Sequence, residues 1–484
     1  MIREPLIFEI SAAGKRAYAL PRLDVPDDKN VLKGVPLRDE IRGFPEVSEI
    51  EVVRHFTRLS QTNYCIDTTF YPLGSCTMKY NPKVNEKVAA LESFLLSHPY
   101  SPEELVQGNL EILKTVEDFL AEITGMDAFT LQPSAGAQGE LVGMMIIRSC
   151  LEQRGNPRQI VLIPDSAHGT NPSSAHICGY SVEEIKSNEK GTIDLTSLDR
   201  AMTEQVAALM ITNPNTLGIF ESDILKIAEI VHARGGLLYM DGANLNALMG
   251  KFRPGDAGVD IIHLNLHKSF STPHGGGGPG AGPVGVKKEL AAHLPIPVVV
   301  KSETGYALNY DLPHSIGRVR SFCGNFLVIV KALAYILSLG PVGLKEIAEI
   351  AVLNANYIRK SLEGVYHLKY TTPTLHECIF SDKYQKEHGV QNIDIAKRLI
   401  DFGVHPPTMS FPLIVPGALM IEPTETESKK ELETFIGAMK KIAKEAAETS
   451  AVVKTAPHAS YVRRLDETSA ARNPILRWEK ETKE

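Results

Sequence analysis

The stretch DIIHLNL (260–266) runs straight into HKSFSTPHGGGGPG (267–280). The first part is a short apolar run bounded by turn formers, which predicts a strand. The second sets a lysine, Lys268, before a loop of small residues. Lys268 is therefore expected at the end of the strand, where the loop begins. A lysine so placed is partly desolvated, which lowers its pKa and frees the neutral amine for a Schiff base. The plainer reading is a solvated lysine at a strand end. What the rest of the chain brings to the same edge separates the two.

Strand-like runs also occur at DAFTLQ (127–132), QIVLIP (159–164), VAALMIT (206–212) and GLLYMD (236–241). Helical stretches lie between several of them, clearest at 139–154 and 222–235. Strand, helix and strand in turn imply an α/β fold with a largely parallel sheet covered on both faces. Ligands in such folds bind beyond the carboxyl ends of the strands. The segments there are PSAGAQGE, DSAHGTNPSSAH, NPNTLG, DGAN and the Lys268 loop.

Asp241 ends GLLYMD, one loop and one strand before Lys268. It could simply cap the DGAN turn. Paired with Lys268 on a neighbouring strand end, it favours pyridoxal 5'-phosphate (PLP). That cofactor needs a lysine for its aldehyde and a carboxylate beside its pyridine nitrogen. Ser134, Ala135, Gly136, Ala137 and Gln138 form a turn into a helix, where backbone N–H groups and the helix N-terminus suit a phosphate. His168 has two readings, a group stacked on the pyridine ring or moving protons, and a hydrogen-bonded loop histidine. Asn213 either reaches the cofactor's phenolic oxygen or serves the turn before Pro214. The Gly275–Gly280 run lacks the order of a P-loop and reads as backbone that passes close to something or moves. His263, His267 and His274 do not make a zinc site, because no acidic ligand stands at a regular offset and His263 lies inside a strand.

The chain has 484 residues, 43% hydrophobic and 23% charged, with a net charge of -7. That supplies a core without disulfides or metals and gives no case for nucleic acid. The six cysteines form no CxxC pair and read as free thiols in a reducing cytoplasm. No signal peptide is evident, and no apolar run reaches the ~18 residues of a membrane span. The expected organisation is an arm and helix over 1–89, a large cofactor domain over 90–335, a smaller C-terminal α/β domain over 336–450 and a solvated tail over 451–484. The Pro-rich arm either wraps a neighbour or lies loose. Capping boxes are expected at Ser48 and at Ser101, each opening a helix. The segment 67–86 is expected to be a functional ordered loop, and 331–362 a helix broken at Gly340-Pro341.

NLHKSFSTPHGGGGPGAGPVGV (265–286) closely resembles the PLP-lysine segment of glycine decarboxylase, the P-protein of the glycine cleavage system. YPLGSCTMKYNP (71–82), PSAGAQGE (133–140), DSAHGTNPSSA (165–175) and MDGANLNA (240–247) are similar to that family too. The resemblance covers most of 60–330 and continues less distinctly to the tail. It implies the PLP-dependent transferase fold of the aspartate aminotransferase type (fold type I). It implies that Lys268 holds PLP, Asp241 faces the ring nitrogen and His168 stacks on the ring, with Ala243 among the cofactor-binding residues. It implies that glycine loses its carboxylate as CO2 and that its aminomethyl group passes to the lipoyl group of H-protein. The full-length enzyme is about twice this long, so the chain resembles subunit 2 of the two-subunit form. The expected partners are subunit 1, two copies of each chain, and H-protein, docking transiently. Arg318 and Arg320 are candidates for the glycine carboxylate, or plain surface residues. Competing readings are another enzyme of the fold, an aminotransferase or desulfurase, and a non-catalytic scaffold subunit.

Overall fold

Seven short strands carry the large sheet: β1 (Ala128–Thr130), β2 (Ile160–Pro164), β3 (Ser181–Ile185), β4 (Val206–Thr212), β5 (Leu237–Asp241), β6 (Ile261–His263) and β7 (Val284–Val286). The computed structural model describes residues 3–28, 30–39, 41, 43–275 and 280–479. The strand order is β1-β7-β6-β5-β4-β2-β3. The run from β3 through β6 is parallel, and β7 is antiparallel to both β6 and β1. Successive residues of one strand face opposite sides. Leu238 and Met240 enter one core, with the helices Gln107–Thr124 and Ile224–Ala233. Leu237 and Tyr239 enter the other, with the helix Gly136–Gln153. Burial on both faces is why these strands read as unbroken apolar runs.

Two strands escape the apolar pattern. β3 is an edge strand, SVEEI, that buries little besides Ile185, and β7 is only Val-Gly-Val. The expected strand at 260–266 is also shorter than its apolar run. β6 ends at His263, and Lys268 lies on a one-turn helix, Leu266–Ser269. The correction has a physical reason. Beyond His263 the chain still bonds to the 281–283 backbone, but Asn265 turns it, and the Asn265 carbonyl accepts the Lys268 N–H at 3.0 Å.

At Ser48 the capping box forms, with the Glu51 carboxylate accepting the Ser48 N–H at 2.9 Å. At Ser101 it does not. A 3-10 turn, Glu103–Leu105, intervenes, and the α-helix starts at Gln107. That helix buries Leu113, Val116 and Leu120 and stops at Gly125 in the left-handed region (φ 74°). The helix Phe326–Leu362 breaks at Gly340 (φ 60°) before Pro341. By length and composition it is apolar enough to cross a membrane, contrary to the sequence reading. Val328, Ile329, Ile336 and Ile347 nonetheless pack into the sheet's core.

The contacts divide the chain into Met1–Thr69 with Pro457–Glu484, and Phe70–Ala456. This differs from the expected boundaries at 89, 335 and 450, because the arm's contacts end at 69 and the large and small domains cluster together. Among the described residues of 1–69 only Val47 and His55 are buried, so the arm has no core of its own. The tail contributes a stack of Trp478 on Phe8, with ring centroids 4.9 Å apart. In the larger unit, β10 (Cys378–Ser381), β11 (Thr408–Met409) and β12 (Ala418–Ile421) form a second, antiparallel sheet, and β8 (Val298–Ser302) and β9 (Gly305–Asn309) a hairpin.

The 67–86 segment holds a buried ion pair. Lys79 Nζ lies 2.8 Å from Glu425 Oε1 and 2.7 Å from Asn246 Oδ1, with both charged side chains at most 5% exposed. Breaking one side of a buried pair leaves the other charge uncompensated, at about 3–5 kcal/mol. Lys79→Met is expected to lower stability by about 3 kcal/mol on that basis, read as an earlier denaturant midpoint. A midpoint within error of wild type would show that Glu425 finds another partner.

Candidate active site

The carboxyl ends of β4, β5 and β6 lie in one row, with Thr212 opposite Asp241 and Asp241 opposite His263. β1 runs in the same sense, so residues 131–138 emerge beside them. The topology thus brings the predicted segments to one sheet edge, and each side chain's local bonds set what it offers there.

Asp241 is buried and held from two sides. Its Oδ2 accepts from Asn171 Nδ2 at 3.1 Å, and its Oδ1 accepts from the Ala243 N–H at 2.9 Å. His263 Nε2 lies 3.4 Å from Oδ1. Burial lowers the His263 pKa, so the ring is neutral. With Nε2 protonated it donates to Asn265 Oδ1 (3.1 Å), and Nδ1 accepts from the Tyr239 hydroxyl (2.6 Å). Glu140 completes this side. Its carboxylate, Asp241 and His263 bring ligand atoms within 4.8 Å of one another. Burial first, and then the Asp241 charge, push the Glu140 carboxyl up to about 8, so it holds a proton at neutral pH.

His168 is exposed. Its Nδ1 is 2.8 Å from Thr170 Oγ1, whose hydroxyl donates to Glu140 Oε1 at 2.8 Å. The ring meets Phe411 edge-on at 5.5 Å. The surrounding protein lowers its pKa by desolvation, against Asp241, which raises it. Asn213 is fully buried. Its Oδ1 accepts the Glu221 N–H at 3.1 Å, while its Nδ2 has no partner. A buried donor without an acceptor is costly in a closed protein and fits an arriving oxygen.

Ala135 is the extended residue before the helix Gly136–Gln153. Gln138 does not point outward. Its Oε1 accepts from Ser134 N (2.7 Å) and Oγ (2.8 Å), and its Nε2 donates to Val319 O (3.0 Å), which locks the turn. A Cβ on Gly136 would strike Asn265 Nδ2, and one on Gly282 would strike the Ala135 carbonyl, so glycine is required at both. Ala137 is exposed at the helix N-terminus, where the dipole is positive. Of the glycine run, 276–279 lies outside the described residues.

Lys268 is half-buried, and its ammonium acts on groups all around it. It lowers His168, His263, His267, His274 and His376 and opposes the upward shifts of Cys76, Glu140, Glu377 and Glu422. His267 and His274 meet edge to face at 5.0 Å, and burial, the larger cause for each, holds them near 3 and 4. Arg320 Nη1 donates to Asn325 Oδ1 at 2.9 Å, and Asn325 Nδ2 donates to the Gly280 carbonyl. Arg318 is exposed over the Tyr310 ring. Among the described residues neither arginine hydrogen-bonds to Lys268 or Asp241.

Sequence reasoning passed over Glu140 and Asn171, and weighed His263 only as a zinc ligand. The first two sit inside the quoted motifs PSAGAQGE and GTNPSSA, and only the fold shows that they face Asp241. The strained backbone was also invisible. Ser75, Thr77, Ser271 and Thr424 have φ of 64°, 49°, 53° and 63°. The Ser271 hydroxyl donates to the Tyr80 carbonyl at 2.7 Å, and Asn81 Nδ2 donates to the Ser271 carbonyl at 2.9 Å, tying the 67–86 segment to the lysine loop. Strain concentrated this way is typical of functional sites.

Residues 347–461 match the family model for the glycine dehydrogenase C-terminal domain, and 138–298 match the class-V aminotransferase model. The chain is 57% identical over 478 residues, 98% of this chain and 99% of the relative, to the probable glycine dehydrogenase (decarboxylating) subunit 2 of Caldanaerobacter subterraneus. The chain belongs to this family. A Bacillus licheniformis member is 56% identical over 99% of both chains. Among solved structures, an inhibitor-bound glycine decarboxylase (P-protein) of the glycine cleavage system superposes with a TM-score of 0.70 at 22% identity, over 85% of this chain and 92% of that one. A Burkholderia pseudomallei sphingosine-1-phosphate lyase gives 0.63 at 15% identity, over 88% and 96%. These likenesses, with the class-V match and the mixed sheet, give the expected PLP-dependent transferase fold of type I. The name "subunit 2" carried by the relatives implies a partner subunit.

Proposed function

We propose that this chain is the PLP-bearing subunit of a glycine decarboxylase, removing CO2 from glycine and passing the aminomethyl group to the lipoyl group of H-protein. Family membership supports the activity. The observation that carries the cofactor assignment is the convergence of Lys268, Asp241 and the unsatisfied Asn213 Nδ2 on one sheet edge. Lys268 would hold the cofactor, Asp241 its ring nitrogen, Asn213 its phenolic oxygen and His168 its ring face. The N–H groups of Ala135, Gly136, Ala137 and Gln138 would receive its phosphate. Ala243 acts through Asp241, its N–H fixing the carboxylate.

Bound PLP supplies an electron sink for the charge left on glycine when CO2 departs. The protein does the rest. Asp241, hydrogen-bonded from two sides beside a protonated Glu140, is fixed where a ring N–H must be held. Neutral His263 backs that carboxylate without competing for its charge. Thr170 steadies His168 through Nδ1.

The reading includes subunit 1, most simply as two copies of each chain, and a transient visit by H-protein. The test is glycine–bicarbonate exchange with H-protein, using this chain alone and mixed with subunit 1. Exchange only on mixing is expected, with PLP on this chain. Full exchange by this chain alone removes the need for the partner. Amino transfer to free PLP without CO2 loss would identify a different enzyme of the fold.

A further inference from the structure

Two glutamates that the proposed chemistry does not use sit side by side near Lys268. Glu377 immediately precedes β10 and Glu422 immediately follows β12, and Cys378 pairs with Ile421 in that antiparallel ladder. The register therefore places both carboxylates at the same end of the small sheet. His376 joins them, and one ligand atom from each lies within 4.8 Å of the others. All three residues are fully buried. The strained 75–77 segment covers them. The Ser75 N–H donates to Glu377 Oε2 at 3.0 Å, and Thr77 donates to Glu422 twice, from N–H at 2.8 Å and from Oγ1 at 2.6 Å. Glu377 Oε1 and both His376 nitrogens have no hydrogen-bond partner among the described residues, and His376 Nε2 lies 3.8 Å from Glu422 Oε1.

Two carboxylates this close, in a site closed to water, do not both ionise. Burial raises Glu422 as well, but Thr77 donates to both of its oxygens and favours its charged form, so the proton belongs chiefly to Glu377. Burial and then the neighbouring carboxylate raise Glu377 well above the usual range. Of the other facing groups, Glu425 raises Glu422, and it is itself paired with Lys79. His376 and His274 are neutral, held near 3 and 4 chiefly by burial, and the Cys76 thiol is pushed up to about 11. Lys268 also acts on Glu140, His168, His263 and His267. Lys268 is the positive charge that acts on both Glu377 and Glu422.

We propose that Glu377 and Glu422 share one proton, and that the single negative charge left on the pair is a counter-ion keeping the Lys268 nitrogen protonated in the cofactor-loaded enzyme. The inference rests on the reading that Lys268 carries PLP. It makes the two glutamates positioning residues, acting on Lys268 through charge.

The experiment is a spectroscopic pH titration of the PLP Schiff base in the complete enzyme. Glu377→Gln alone leaves Glu422, to whose two oxygens Thr77 donates, so the charge persists and the Schiff-base pKa stays within about half a unit of wild type. The double variant, with Glu422→Gln added, loses the charge, and its pKa falls by about one unit or more. A double variant that titrates like wild type overturns the proposal, as does a fall of a full unit in Glu377→Gln. Should the double variant not fold, the infrared spectrum of Glu377→Gln decides. A protonated-carboxyl band of the wild type must vanish there, and its persistence overturns the shared proton. A wild-type enzyme with no Schiff base on Lys268 defeats the cofactor reading instead, so the two failures are distinct.

Discussion

Lys268→Ala is expected to abolish glycine-dependent CO2 exchange, by at least ~1,000-fold, the scale seen when a covalent-catalysis residue is removed. No other lysine in the described site is suited to replace it. Lys79 is buried in its ion pair with Glu425 and bonded to Asn246 and Tyr335, so its amine is neither neutral nor free to move. Burial lowers the Lys79 pKa, but Glu425 and Tyr335 outweigh it and leave the net shift upward. In wild type, borohydride reduction with PLP followed by peptide mass mapping should place a pyridoxyl adduct on Lys268. The alanine variant should carry none and should lose its visible absorbance while keeping its fold, since Lys268 sits half-exposed on a one-turn helix. An adduct on a different lysine, or activity surviving the substitution, removes Lys268 from the centre of the site.

Much of this was legible because the signals are local. GLLYMD reads as a strand from its apolar run, and its last residue must emerge at the strand's carboxyl end, so Asp241 could be placed without a structure. Gly125 and Gly340 announced a helix end and a helix break through their backbone freedom. What stayed hidden is relational. β3 carries edge-strand polarity and β7 is three residues long, so neither has a period to read. Lys268 was displaced from the strand end because apolarity does not distinguish a strand from the buried helical turn after it. Ser101 looked like Ser48, yet only Ser48 caps an α-helix, since the chain after Ser101 takes a tighter turn first. Glu377 and Glu422 lie far from Lys268 in sequence. Only a β10–β12 ladder and a folded-over 75–77 segment bring them near it.

Asp241→Asn is the second large effect expected. The substitution keeps size and one carbonyl oxygen, so the bond from Asn171 or that from the Ala243 N–H survives, and the buried site does not open a cavity. Charge is what changes. An amide cannot hold a protonated ring nitrogen as a carboxylate does, and the cofactor loses its pull on electrons. Glu140 does not substitute readily. Its Oε1 is bound by Thr170, and its proton reflects burial as well as the Asp241 charge, so losing that charge frees it only in part. Exchange should therefore fall by at least ~100-fold, the range for loss of one preorganised electrostatic partner, while PLP content stays near wild type because Lys268 and the 135–138 turn remain. The two measurements belong together. Low activity with PLP retained assigns Asp241 to the chemistry. Low activity with PLP lost makes it a binding residue. Activity near wild type, with full PLP, leaves the ring nitrogen to another group, and Glu140, next to Asp241, would be the one to substitute next.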